Sequence, residues 1–131
     1  MTWCTRASAL ALGLLVSGVL HVVGAEATAA PKDGYVAYVA CGLGPAAKPS
    51  HACKETQGKA AYFLSRSRDA TYQVCVKYPG KKQRLCASEQ DAPQGEKQRV
   101  TIATASLGKH QVSWYVEGRK VAGWTFRVTA A

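Results

Sequence analysis

The cysteines limit most strongly what this chain can fold into. Five are present; Cys4 lies near the N-terminus, and Cys41, Cys53, Cys75 and Cys86 lie in the body of the chain. In a small chain that reaches an oxidising compartment, an even number of cysteines indicates disulfides that supplement a small core. Four cysteines allow three pairings, so the strands around them have to select one.

A predicted hairpin places two of these cysteines opposite each other. Residues 71–78 alternate between apolar and other side chains, which is typical of a strand, and residues 83–88 are predicted as its partner. A tight Pro-Gly-Lys-Lys turn between them pairs Cys75 with Cys86, both on the outer face. Directly opposed β-carbons lie within disulfide reach, so the hairpin predicts a cross-strand bridge.

The remaining cysteines, Cys41 and Cys53, are then predicted to close the Gly/Pro-rich loop between them. Each of the two short disulfide loops is expected to add about 3 kcal/mol to stability under the chain-entropy description. That contribution is a large part of the stability of a small domain.

The N-terminus has the pattern of an export signal. Arg6 is followed by residues 7–23, which carry no charged side chain, and small residues at 23–25 and 27–29 each fit a cleavage site. We predict cleavage after Ala25, with Ala29 as the second choice; a retained membrane anchor is the alternative, disfavoured by the glycine and polar residues in the run. The prediction is therefore a secreted or extracytoplasmic protein without stable membrane insertion: signal peptide 1–25, disordered mature N-terminus 26–33, and one domain 34–131.

The mature chain reads as short strands separated by turns. Seven are predicted: 34–41, 60–65, 71–78, 83–88, 98–104, 110–117 and 120–128. A Gly/Pro loop reaches to about Lys59, and within it residues 53–59 could form one helical turn. Seven strands at this spacing, with no helical period outside the signal, indicate an all-β sandwich.

The C-terminal hairpin contains a conflict of phase. Trp114 lies in a strand whose apolar residues share one face, but Trp124 and Phe126 are out of phase with Val121 on the returning strand. We expect a bulge near Gly123, or a three-residue loop at 118–120, to bring the two tryptophans and Phe126 to one inward face. An exposed aromatic platform is the alternative, but burial is the more common fate of tryptophan.

Residues 107–128, LGKHQVSWYVEGRKVAGWTFRV, resemble the last two strands of secreted bacterial immunoglobulin-like domains, including periplasmic copper-resistance ones. The span 60–128, with its run TYQVCVKYPGKKQRLC, looks like small, uncharacterised secreted proteins of high-GC bacteria. The resemblance implies an immunoglobulin-like β-sandwich of about seven strands and an exported location. It implies no activity.

The sequence predicts no metal site, no cofactor and no catalytic residue. Copper-resistance domains present histidines from the mature N-terminus and the final hairpin, where this chain has Glu26-Ala27 and Glu-Gly-Arg-Lys. The mature histidines are His51 and His110, and Cys53 beside the first is assigned to a disulfide, whereas a structural metal usually takes four ligands. No G-x-S-x-G elbow is present, and the carboxylates are scattered through loops. We therefore predict that the protein is not an enzyme.

Positive charge is the feature that points to a function. The chain has 17 Lys and Arg against 8 Asp and Glu, a formal net charge of +9. The densest group surrounds the disulfide hairpin and forms the candidate patch for an anionic partner: Lys77, Lys81, Lys82 and Arg84. Lys77 is predicted to face Arg84 across the strands, which is unfavourable unless something negative is met there. Solubility alone is the plain alternative explanation of a high net charge.

Three functions from different classes remain. The leading one is a non-enzymatic binding or structural module that contacts anionic cell-envelope polymers or an acidic protein partner. The second is a secreted inhibitor or small-ligand carrier that presents the Cys41–Cys53 loop. The third is an enzyme, which would need a cleft joining His51 or His110 to a carboxylate. Nucleic acid is disfavoured as a partner, because no exposed motif of aromatic and basic residues supports it.

Overall fold

The computed structural model describes residues 31–131, which form two β-sheets packed face to face and contain no helix. The strands are β1 (Tyr35–Cys41), β2 (Ala52–Lys54), β3 (Lys59–Ser65), β4 (Ala70–Lys77), β5 (Leu85–Cys86), β6 (Gln90–Ala92), β7 (Gln98–Thr101), β8 (Gly108–Val116) and β9 (Arg119–Thr129). The all-β prediction is confirmed, with nine strands in place of about seven.

Strand order defines the type of sandwich. One sheet has the order β1-β3-β7, and the other has β2-β9-β8-β4 with β5 and β6 both paired to the outer edge of β4. Neighbours are antiparallel, except that β2 runs parallel to β9. A sheet of β1, β3 and β7 therefore faces a sheet built on β4, β8 and β9. This is the immunoglobulin-like arrangement, without the additional strand that commonly flanks β7. The immunoglobulin-like β-sandwich is therefore confirmed.

The core lies between the two sheets and follows the alternation of the strands. Tyr72, Val74 and Val76 of β4 are all buried, as are Trp114 of β8 and Phe126 of β9. The opposing sheet contributes the inward residues of β1 and β3, including Val39, Ala61 and Phe63. Because side chains in a strand alternate between faces, every second residue of each strand points into this layer.

Strand β3 is buried on both faces, which explains its nearly continuous apolar sequence. Its outward side chain Tyr62 stacks on Tyr38 with ring centroids 5.1 Å apart. The Tyr62 hydroxyl donates to the carbonyl oxygens of Gly44 (2.9 Å) and Gly42 (3.2 Å). The loop between β1 and β2 is thereby held against the outer face of the first sheet.

The C-terminal hairpin resolves its conflict of phase with a bulge. A two-residue turn at 117–118, with φ of 51° and 74°, pairs the strand ends next to it, and such turns match the twist of a hairpin. Trp114 then pairs with Ala122 and Tyr115 with Lys120, which leaves Val121 as the extra residue. The bulge thus lies two residues before Gly123, and the three-residue loop is not formed.

The expected common face of the final hairpin is present. Trp114 and Phe126 are fully buried, and Trp124 is half-buried and packs against the same core. Trp124 also donates from Nε1 to the carbonyl of Ser50 at 2.9 Å, and the ring of His51 stacks on it with centroids 4.1 Å apart. Trp114, Trp124 and Phe126 therefore belong to the core and its edge.

Two predicted loops contain short strands. Residues 52–54 pair with β9, and the turn that follows them occupies the place where a helical turn was considered. Residues 90–92 pair with β4, and the strand predicted at 83–88 is regular only at 85–86. These pairings depend on the free edges of distant strands, so local sequence pattern does not reveal them.

The predicted signal peptide and residues 26–30 lie outside the described residues, so the division at 25 and 33 stays a prediction. At the start of the described part, the backbone N–H of Lys32 donates to the carbonyl of Val121 at 2.8 Å. Within residues 31–131, no helix has the length and apolar character needed to cross a membrane.

Candidate functional site: the basic end of the sandwich

Both predicted disulfides are present in the structure. Cys75 and Cys86 are direct partners in the β4–β5 ladder, with Cα atoms 4.0 Å apart. Cys41 and Cys53, with Cα atoms 5.5 Å apart, join β1 in one sheet to β2 in the other. The first bond holds β5 against β4, and the second links the two sheets at the opposite side of the sandwich.

The hairpin brings three lysines of the predicted patch to one end of the molecule. Lys77 is the last residue of β4, and Lys81 and Lys82 lie in the turn that follows. A hydrogen bond from the N–H of Lys81 to the carbonyl of Tyr78 (3.2 Å) and a φ of 72° at Gly80 shape that turn. All three side chains are exposed, and none of their ammonium groups forms an ion pair with another residue of the described part.

Arg84, the fourth residue of the predicted patch, points elsewhere. Its guanidinium lies 4.6 Å from the ring centroid of Tyr115 and donates to the Tyr115 hydroxyl. Tyr115 pairs with Gln73, four positions before Lys77 on β4, which is a separation of about 13 Å along a strand. The predicted opposition of Lys77 and Arg84 is therefore absent from the ladder, which begins only at Leu85.

A fourth lysine completes the cluster in place of Arg84. Lys77, Lys81, Lys109 and Gln111 line a depression of about 300 Å³. Gln111 of β8 pairs directly with Lys77, and Lys109 is the next outward position on that strand. We call Lys77, Lys81, Lys82 and Lys109 the basic surface. Lys109 was missed from the sequence, although pairing the alternating pattern of β8 with that of β4 would have found it.

An apolar groove adjoins the basic surface. It has a volume of about 830 Å³ and lies between the β4–β5 hairpin and the segment 103–106. Tyr78, Pro79 and Leu85 form its apolar walls, and Lys81 and Lys82 line it as well. Leu85 is 67% exposed, so this groove has an apolar side chain at its entrance.

Two buried polar side chains hold the far wall of the groove in place. The ammonium of Lys59, a residue only 2% exposed, donates to the carbonyl of Thr104 (3.3 Å) and to two carbonyls of the preceding turn. The Thr104 hydroxyl is 3.1 Å from Nε2 of His110, whose Nδ1 lies 3.1 Å from the Gly108 carbonyl. Nδ1–H therefore donates to the carbonyl, and Nε2 accepts from Thr104.

His110 has a structural role in this arrangement. Its side chain is fully buried and stacks on Phe126, and burial lowers the pKa of the imidazole. Its hydrogen-bond partners are Thr104 and Gly108, so no carboxylate activates it. His51 is exposed, and its Nδ1 donates to the Thr125 carbonyl at 2.6 Å. Within residues 31–131, no three His, Cys, Asp or Glu side chains come together in a group that could hold a metal ion.

Comparison with known proteins adds evidence at the level of structure only. No protein-family model and no curated protein matches the sequence. Among solved structures, the chain is similar to an immunoglobulin-like protein from Pseudomonas aeruginosa, with 12% identity, coverage of 81% of this chain and 100% of that chain, and a TM-score of 0.43. The immunoglobulin-like assignment here rests on the strand order described above, and the resemblance to copper-resistance domains and to a high-GC bacterial family stays a prediction.

Proposed function

We propose that the protein is a secreted, non-enzymatic binding module that contacts anionic polymers of the cell envelope through the basic surface. The observation that carries the proposal is the convergence of Lys77, Lys81 and Lys109 on one depression, with Lys82 beside it. Two disulfides support an oxidising, extracytoplasmic location, where such polymers are found.

The geometry of the basic surface favours binding over simple solubility. Its lysines come from the hairpin and from β8, so two separate parts of the chain bring like charges around one concavity. A concave cluster of one sign raises the local concentration of ions of opposite sign more than scattered charges do. Binding of this kind weakens as salt shortens the Debye length from about 14 Å to about 4 Å between ~0.05 M and ~0.5 M.

Charge reversal at matched positions tests the proposal. The test variant changes Lys77, Lys81 and Lys82 to Glu, and the control changes Arg66, Arg119 and Lys120 to Glu at the other end of the sandwich. Both variants alter net charge equally and replace only exposed side chains. Binding is measured by co-sedimentation with purified, insoluble bacterial envelope at low and high salt.

We expect the test variant to lose at least about tenfold in affinity at low salt while the control stays within about threefold, because only the first removes the local cluster. Equal losses in both variants would show that net charge alone causes the adhesion. Unchanged binding by the test variant would exclude the basic surface. Binding of the native protein that persists at high salt would favour a specific protein partner.

A further inference from the structure

The side of the sandwich next to the basic surface is open between the sheets. Strand β7 is the edge of its sheet, and within residues 31–131 no strand pairs with its outer side. The facing edge of the other sheet is formed by β5 and β6, which together cover only part of β4. The core side chains Val74, Val76 and Ile102 therefore lie just inside this edge, where each is at most 6% exposed.

A narrow, mainly apolar slot lies against the core at this opening. Its volume is about 200 Å³, and its walls include Val74 and Val76 from one sheet and Val100 and Ile102 from the other. Ala87, at the edge beside β5, also lines it and is half-buried. The slot thus lies between the inner faces of the two sheets.

The slot and the groove of the basic surface share two walls. Tyr78 and Leu85 line both cavities, and Ile102 of the slot is followed directly by the groove segment 103–106. The slot and the groove therefore adjoin at the exposed side chain of Leu85, and together they run from Val76 and Ile102 to Lys81 and Lys82. This path is apolar at its inner end and positively charged at its outer end.

We propose that this path binds a single-chain anionic amphiphile, with its alkyl chain in the slot and its negatively charged head group at Lys81 and Lys82. The inference rests on the proposed function, and it names an amphiphilic ligand for the same surface. Charge complementarity selects the head group, and the apolar walls select the chain. An extended peptide fits the slot less well, because its backbone N–H and C=O groups would lose water among valine and isoleucine side chains.

Nuclear magnetic resonance with defined probes tests this inference. The oxidised, ¹⁵N-labelled domain is titrated with dodecanoate below its micelle concentration, and amide shifts are followed. Acetate supplies the charge without the chain, and dodecyltrimethylammonium supplies the chain with the opposite charge. Octanoate and decanoate measure the dependence on chain length, and vesicles of anionic phospholipid supply the same chemistry as a bilayer.

We expect dodecanoate to shift amides mainly in 78–87 and 100–106. Affinity should rise by about fourfold for each added methylene until the slot is filled, because burying each methylene adds a similar favourable free energy of transfer from water. Acetate should produce no comparable shifts, and the cationic amphiphile should bind at least about tenfold more weakly, given the lysines at the outer end.

Two variants test the slot without changing any lysine. Ala87→Leu fills it from the edge, and Leu85→Ser removes the exposed apolar wall; Leu43→Ser, at an exposed leucine in the β1–β2 loop, is the control. The first two should each weaken dodecanoate binding at least about tenfold, and the control should leave it unchanged.

Three results would each overturn the inference: amide shifts from dodecanoate that spread over other surfaces, dodecanoate binding unaffected by Ala87→Leu, and binding to vesicles but not to monomeric dodecanoate. These results are distinguishable from failure of the proposed function. Ala87→Leu keeps the whole basic surface, so its adhesion to envelope polymers reports on the lysines alone.

Discussion

Tyr72 has a hydroxyl that folding removes from water without replacing its hydrogen bonds. The residue is 1% exposed, its ring stacks on Phe63 with centroids 4.4 Å apart, and its oxygen has no hydrogen-bond partner within the described residues. Leaving such a group unsatisfied costs about 1–3 kcal/mol. We therefore expect Tyr72→Phe to raise the free energy of unfolding by about that amount.

Tyr62→Phe is the matched control, because this second buried tyrosine donates its hydroxyl to two carbonyls. Removing a satisfied hydrogen bond should lower stability by about 1 kcal/mol. The two substitutions delete the same atom from two buried tyrosines, Tyr72 between the sheets and Tyr62 on the outer face of the first sheet. They should nevertheless move the urea midpoint in opposite directions. Urea unfolding of the oxidised domain, followed by fluorescence, measures both, and a shift of about 4–8 °C per kcal/mol is expected in thermal melts.

Alkaline titration gives an independent reading of the same burial. Desolvation raises the pKa of Tyr72 from 10.0 to about 12. The folded state then holds the phenolic proton more firmly than the unfolded state. The protonated hydroxyl therefore contributes to stability below pH 10.0, and this contribution is lost as pH rises towards 12. The loss amounts to about 2–3 kcal/mol, and Tyr72→Phe should remove this part of the pH dependence. A less stable Tyr72→Phe variant, or an unchanged alkaline profile, would refute the reasoning.

Two further predictions concern buried groups near the basic end. Because burial lowers the pKa of His110 in the folded state, the free energy of unfolding should fall as pH drops below the unfolded value of 6.5. His110→Gln should lose this pH dependence in urea unfolding between pH 5 and pH 8. The same pH dependence retained in the variant would contradict the assignment. Replacing Cys75 and Cys86 together by Ala should lower stability by about 3 kcal/mol. An unchanged melting temperature in non-reducing buffer would contradict that bridge.

The disulfide hairpin was predictable because all of its determinants are local. Alternation in residues 71–78, a turn with glycine at its tip, and cysteines at equal distances from that turn fix both register and facing. A wrong register would have moved Cys75 and Cys86 to different faces. The same alternation in the final strands made a bulge necessary, although its position depends on the turn at 117–118.

The apolar half of the candidate site could not be predicted in the same way. Its far wall, 103–106, comes to the hairpin because Lys59 and His110 hold Thr104 from behind. These contacts join residues 45 and 6 positions apart, respectively, through groups that the sequence marks only as one lysine and one histidine. Arg84 was placed in the patch because it is close to the lysines in sequence. Its guanidinium instead packs on the ring of Tyr115, away from the lysines, and the sequence does not reveal that contact.

The crossing of the chain from β1 to β2 has a mechanical consequence. The Cys41–Cys53 bond fastens the two layers along one long side, whereas Cys75–Cys86 lies within a single layer. Along the opposite side, where β7 faces β5, neither disulfide joins the layers. We therefore expect thermal fluctuations to separate the two layers more readily beside the slot than beside the Cys41–Cys53 bond.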